Sequence, residues 1–303
     1  MRFVRSLFRG GWLFSLGFMG LGTVPSQVSA QAQGQLGGFR IKPENIQFVG
    51  NRNFSSADLR NIFQSAGNLV ETPKAEQDDL YDSRRLNLGV NALLAFYRNR
   101  GFIKTTIKSP EFDYGSSATR NQVQILFTVT EDQAYSFGEI KINGGQALPP
   151  SIILGLLNLS TKTVINVTKI DAGIAAVRGV YLALGYLDAD VTSTLDANPN
   201  KKVADLLVNI REGNQYHVGR IQFVGIPAIR ESLLREFLPL QSGDIFGEKT
   251  FHAALESLNS LGPPHTLTST DIDFHIDQNQ AIVDLTIYLE GKNKKGETGK
   301  TKN

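Results

Sequence analysis

Three short words in this chain spell nearly the same strand: IQFVG at 46–50, IKING at 140–144 and IQFVG again at 221–225. A strand and glycine that return at this spacing mark a copied supersecondary unit, because each copy rebuilds the same turn and buries the same face. The match extends on both sides, as NIQFVGNRNF at 45–54, EIKINGGQAL at 139–148 and RIQFVGIPAI at 220–229. Ile46 and Phe48, Ile140 and Ile142, and Ile221 and Phe223 alternate as in a half-buried strand. Gly50, Gly144 and Gly225 then allow a turn.

Two helical patterns follow each turn. The first reads NFSSADLRNIFQSAG, PPSIILGLLNL and PAIRESLLREFLPL. Its apolar faces are predicted to be Leu59, Ile62 and Phe63, then Ile153, Leu156 and Leu157, then Ile229, Leu233 and Phe237. Ser55 or Ser56 caps the first copy, Pro150 opens the second and Pro239 marks the end of the third. The second helix carries Leu86, Val90, Leu93, Leu94 and Tyr97, then Ile170, Ile174, Val177 and Tyr181, then Phe251, Ala254, Leu255 and Leu258. Each copy runs out at a glycine suited to a left-handed stop, Gly101, Gly185 or Gly262. Tyr97 and Tyr181 stand four residues before their glycines and read as structural.

A hairpin closes each unit. FIKTTIKSPEF pairs with NQVQILFTVTE, YLDADVTSTLD with KKVADLLVNIRE across NPNKK, and part of LTSTDIDFHI with AIVDLTIYLE across DQNQ. The closing strands finish at Glu131, Glu212 and Glu290. The expected fold class is therefore α+β: tandem β-α-α-β-β modules, each with two helices on a three-stranded mixed sheet. The expected boundaries are 43–133, 134–214 and 215–291. EDQAYSFGEI and EGNQYHVGRI are joints of equal length, and Tyr135, Gly138, Tyr216, His217 and Gly219 are their candidate residues. Interface packing is the expected role of His217, ahead of a pH-sensitive hinge.

The two ends differ from this body. Residues 1–30 combine Arg2, Arg5 and Arg9, an apolar stretch and VSA, the three parts of a cleaved export signal. The whole chain carries +2, and removing those three arginines leaves −1. The tail at 292–303 holds five lysines and one glutamate, so residues 31–291 carry −5. That tail is expected to be a disordered, solubilising end. A body without a basic surplus gives little support to nucleic-acid binding. No later stretch is long and apolar enough for a spanning helix, so no integral span is expected after cleavage.

Catalytic signatures are missing. There is no cysteine, and no two of His217, His252, His265 and His275 stand at the helical spacing of a zinc motif. The glycines form no phosphate loop or dinucleotide fingerprint, and no GxSxG elbow occurs. The acidic run EQDD at 76–79 reads as a solvated helix lead-in. The expectation is a non-enzymatic chain with no cofactor.

The words IQFVGNRNFSSADL, LLAFYRNRGFI, VTEDQAYSFGEIKING, YLALGYLDADV, NIREGNQYHVGRIQFVG and YLEG resemble the POTRA repeat of the outer-membrane protein assembly and bacterial surface antigen family. The resemblance covers about residues 43–291. It implies a sheet ordered first, third, second strand, with the second strand at an open edge. It also implies a periplasmic place at the outer membrane, and partners among unfolded outer-membrane proteins, accessory lipoproteins or an assembly barrel. Strand addition at the open edge is the implied mode of binding. The candidate edge residues are Ile103, Lys104, Thr105, Thr106 and Ile107, and Leu187, Asp188, Ala189, Asp190, Val191 and Thr192. The third edge is expected near Asp271–Ile276, starting late or short because Pro263 and Pro264 cannot donate to a ladder.

Family members of the assembly type continue into a barrel, whereas this sequence stops 13 residues after Glu290. The expectations are action in trans beside a separate barrel, a free-standing binding array, or a truncated product. A periplasmic interaction module for secretion or envelope organisation, without barrel insertion, is the alternative function.

Overall fold

The computed structural model describes residues 43–67, 83–113, 123–263 and 266–291. The export signal expected at 1–30, the acidic run at 76–79, Pro264, His265 and the tail at 292–303 lie outside the described residues.

Three sheets follow one another along the chain. The first contains β1 (Ile46–Val49), β2 (Thr106–Ile107), β3 (Glu111–Asp113) and β4 (Gln124–Thr130). The second contains β5 (Ser136–Gly144), β6 (Asp190–Asn198) and β7 (Val203–Arg211). The third contains β8 (His217–Val224), β9 (Ile272–Asp277) and β10 (Ile282–Tyr288). In each, the opening strand runs parallel to the closing strand, which lies in the middle. The second strand pairs antiparallel on its other side. A parallel pair needs a crossover, and two helices supply it each time. They are α1 (Ser56–Gly67) and α2 (Ser83–Arg98), α3 (Pro150–Leu157) and α4 (Val167–Ala183), and α5 (Ala228–Phe237) and α6 (Glu248–Ser260).

Local chemistry starts and stops these elements. The Asp58 amide donates to Ser55 Oγ at 3.1 Å and the Lys169 amide to Asn166 Oδ1 at 3.0 Å, so α1 and α4 begin with side-chain caps. The hairpin turns share one device. Asn198 Oδ1 accepts from the Asn200 and Lys201 amides, and Asp277 Oδ1 from the Asn279 and Gln280 amides.

Each sheet has its own apolar core, in which the closing strand contributes every second residue. Examples are Ile125, Phe127 and Val129, then Leu206, Val208 and Ile210, then Val283, Leu285 and Ile287. The helices cover this face with Leu59, Phe63, Leu93 and Tyr97 in the first unit and with Ile153, Leu157, Val177 and Tyr181 in the second.

The third unit corrects the expected stripe. Leu233 and Phe237 are each 57% exposed, while Leu234 packs against the core and Leu238 is buried within it. Leu234 and Leu238 lie 13 and 17 residues after Ile221, as Leu59 and Phe63 do after Ile46 and Ile153 and Leu157 after Ile140. The framework set by the opening strand therefore fixes the face of α5. Its own periodicity does not, because adjacent apolar pairs at 233–234 and 237–238 satisfy two stripes equally.

Candidate interaction edges and inter-unit joints

The predicted edge residues divide into two groups. Thr106 and Ile107 form β2, and Asp190, Val191 and Thr192 open β6. Ile103, Lys104 and Thr105, and Leu187, Asp188 and Ala189, stand before those strands in turns and loop. The expected strands thus begin too early, because the chain first makes a tight turn after each helix. The Ile103 amide donates to Gly101 O at 2.9 Å, and the Leu187 amide to Gly185 O at 3.0 Å.

Four of those turn residues, Ile103, Lys104, Leu187 and Asp188, belong to the joints, whereas Ala189 is buried in the core of its own unit. Ile103 follows the first unit's second helix, yet its side chain is buried in the second core. Leu187 stands in the equivalent place and is buried in the third core. The first and second units therefore each insert an apolar side chain into the unit that follows.

Backbone bonding repeats in the same register. The Tyr135 amide donates to Gly101 O at 2.9 Å, and Tyr135 O accepts from the Ile165 amide at 3.0 Å. The Tyr216 amide donates to Gly185 O at 2.9 Å, and Tyr216 O accepts from the Phe246 amide at 2.9 Å. Gly101 and Gly185 have φ of 85° and 88°. A Cβ on Gly101 would lie 2.7 Å from Tyr135 O, and one on Gly185 would lie 2.6 Å from Ile245 Cγ2. These glycines therefore end their helices and also admit the next unit.

Both joint tyrosines are buried, and each hydroxyl finds a carboxylate. Tyr135 donates to Asp132 at 2.7 Å, and Tyr216 donates to Asp188 at 2.5 Å. The two acids come from different positions. Where the second joint has Asp188, the first has Lys104, whose Nζ lies 5.7 Å from the Tyr135 ring centre. Where the first has Asp132, the second has Gly213, at which a Cβ would lie 3.1 Å from Asp188 Cβ. Burial, followed by the bond to Asp188, pushes the Tyr216 hydroxyl up to about 12.

Helix ends add polar contacts. Asn99 Oδ1 accepts from the Thr168 amide at 3.0 Å, which caps the start of α4 from the preceding unit. Gln215 Nε2 donates to Leu184 O at 2.8 Å. His217, expected at the joint, lies at the start of β8 with Nδ1 3.0 Å from Gly243 O, a carbonyl of its own unit.

Gly138 and Gly219 also fall inside strands, at a break in register. The β5–β7 pairing shifts between Phe137 and Ile140, and the β8–β10 pairing shifts between Val283 and Leu285. A Cβ on Gly138 would lie 2.1 Å from Asp205 Oδ1, and one on Gly219 the same distance from Asp284 Oδ1. Those carboxylates accept from the next amides, Glu139 at 2.7 Å and Arg220 at 2.5 Å. Each glycine thus leaves space for an acid that closes a β-bulge. Sequence reading missed the acids, although Asp205 and Asp284 each stand six or seven residues before a terminal glutamate.

The open edges differ in length. Beyond Ile107, pairing to β4 continues only through the Lys108 amide to Thr128 O at 3.0 Å. Pro110 then interrupts the ladder, and β3 resumes in a shifted register. β9 has six residues and starts ten residues beyond Gly262, whereas β2 and β6 start five beyond their glycines. β6 is the longest second strand, with nine residues in unbroken register along β7. Asp190 pairs with Arg211 at its start, an exposed ion pair that adds little stability.

Among the described residues, no group of three His, Cys, Asp or Glu could hold a metal ion, and no helix is long and apolar enough to cross a membrane. A family model described as POTRA, surface antigen variable number repeat, matches residues 41–132, 135–213 and 216–291. A Treponema pallidum protein named for outer membrane protein assembly is 23% identical over 286 residues, covering 90% of this chain and 33% of the relative. Outer membrane protein assembly factor BamA of Buchnera aphidicola is 24% identical over 217 residues, covering 70% of this chain and 34% of the relative. The chain thus spans about a third of the length of these curated relatives. The crystal structure of Haemophilus influenzae BamA POTRA3-5 shares the fold, with a TM-score of 0.55 at 18% identity, covering 82% of this chain and 94% of that one.

Proposed function

Because this chain belongs to the POTRA family, we propose that it is a periplasmic binding array, associated with the outer membrane, for outer-membrane protein assembly. Residues 43–133, 134–214 and 215–291 are its three units, and it acts as a scaffold without a reaction of its own. Unfolded outer-membrane proteins, or an assembly barrel, add a strand to the array. The names of the relatives support the setting.

One observation supports the mode of binding. β6 offers nine residues of continuous edge, bonded to β7 on one side only. An extended client can pair with its outward amides and carbonyls. β2 is short and broken, which is how a protein protects an edge. β6 is therefore the preferred acceptor.

Proline substitutions at Val191 and Thr192 test this reading. Neighbouring strand amides point to opposite sides, so one proline removes an inward donor and the other an outward donor. The variant that keeps its circular dichroism and melting has lost the outward amide. It is expected to bind unfolded outer-membrane protein less well. Equal binding by that folded variant would rule β6 out.

A further inference from the structure

The opening strand is the other edge of every sheet, and the three units treat it differently. In the first, Arg60 Nε donates to Ile46 O at 3.0 Å. In the third, Arg235 NH2 donates to Ile221 O at 2.5 Å. Each arginine stands 14 residues after the isoleucine whose carbonyl it occupies. In the second unit that position is Leu154, which cannot donate and is 43% exposed.

We infer that the outer edge of β5, from Ile140 to Gly144, is a second strand-accepting edge that takes an extended segment with alternating apolar side chains. The inference rests on the reading of the chain as a client-binding array. The beginning of β5 is closed by its own loop, because the Phe137 amide donates to Thr163 O and the Lys162 amide to Phe137 O, both at 2.8 Å. The same closure in the third unit runs from the Val218 amide to Asp244 O and from the Gly243 amide to Val218 O. Beyond it, the third unit covers its edge with Arg235 and the second does not.

The chemistry of the edge selects its occupant. A row of strand amides and carbonyls is matched by another extended backbone. α3, PSIILGLL, carries no charged residue and leaves Ile152 50% exposed as well as Leu154. Glu139 and Lys141 pair with each other at 3.1 Å. The neighbourhood is therefore apolar and without surplus charge, which complements a charge-poor strand whose alternate side chains are apolar. Strands of outer-membrane barrels have that pattern.

The test uses the whole chain and a labelled peptide of about ten residues with alternating valine and threonine. Binding is read by fluorescence anisotropy, and the edge used by amide hydrogen exchange. Exchange is expected to slow at Ile140 and Ile142. Leu154→Arg, which installs the residue that both sister units carry, is expected to weaken binding roughly three- to tenfold with unchanged melting. Arg235→Leu is expected to open the third unit's edge and slow exchange near Ile221 when peptide is added. Unchanged affinity of the Leu154→Arg protein overturns the inference. Slowing confined to β6 also overturns it but leaves the proposed function standing. Slowing at β5 alone supports it and removes β6 as the acceptor. No slowing at either edge removes both.

Discussion

The Tyr97 hydroxyl donates to Glu131 Oε1 at 2.7 Å, joining the last turn of α2 to the end of β4. Glu131 Oε2 accepts from the Arg52 amide at 2.9 Å, the Asn53 amide at 2.9 Å and Asn53 Nδ2 at 2.7 Å. One carboxylate therefore holds the helix, the closing strand and the turn after β1. The second unit repeats the device in part. Glu212 Oε1 accepts from the Ala147 amide at 2.7 Å. Burial first, and Glu212 second, push the Tyr181 hydroxyl well above the usual tyrosine range. The third unit has Leu258 in place of the tyrosine.

This arrangement sets an acid limit on stability. Burial pushes the Glu131 carboxyl up, but the bonds from Tyr97, Arg52 and Asn53 outweigh it and hold the group below its ordinary value. Its stabilisation is present above the unfolded carboxylate pKa and is lost as pH falls through the lower folded value. Glu131→Gln is expected to flatten the acid side of a stability profile measured by urea unfolding. Tyr97→Phe is expected to cost about 1–2 kcal/mol at neutral pH.

Tyr216 acts at the opposite end of the scale. Its hydroxyl is pushed from the ordinary 10.0 to about 12. The unfolded chain ionises first, so the contribution is full below 10.0 and disappears as pH rises towards about 12. Tyr216→Phe should lessen the alkaline loss of stability. Thermal melts between neutral pH and that range would show it.

The bulge glycines and their acids are expected to couple. Gly138→Ala places a methyl where Asp205 Oδ1 now lies, forcing that carboxylate off the Glu139 amide. The substitution should cost markedly less in an Asp205→Ala background. A double-mutant cycle is expected to give a coupling of about 1–2 kcal/mol, and strict additivity would contradict the bulge account.

At the joint, Gly101→Ala meets both a left-handed backbone and Tyr135 O. A loss of at least about 1–2 kcal/mol is expected, together with faster exchange of the Tyr135 amide, which bonds to Gly101 O. Normal exchange at Tyr135 would show that the glycine serves only its own helix.

On α5, Leu234→Ala should destabilise by about 2 kcal/mol, whereas Phe237→Lys should stay within about 0.5 kcal/mol. The reverse order would restore the stripe expected from periodicity alone.

Much of this is legible in the sequence itself. The returning words around Ile46, Ile140 and Ile221 determined the number of copies, the order of elements and the alternation of each closing strand. Those features are local, since a strand repeats every two residues and a helix about every 3.6. Only the tertiary structure decided which core a buried residue joins. Ile103 and Leu187 read as ordinary apolar strand residues, yet they serve the next unit. It also decided that Asp205 fills the space above Gly138 and that Asp188 takes over from Asp132. Each of these is a contact between residues far apart in the chain. Periodicity records whether a side chain turns inward, but a partner is selected by distance in space, and that becomes defined only when the units pack.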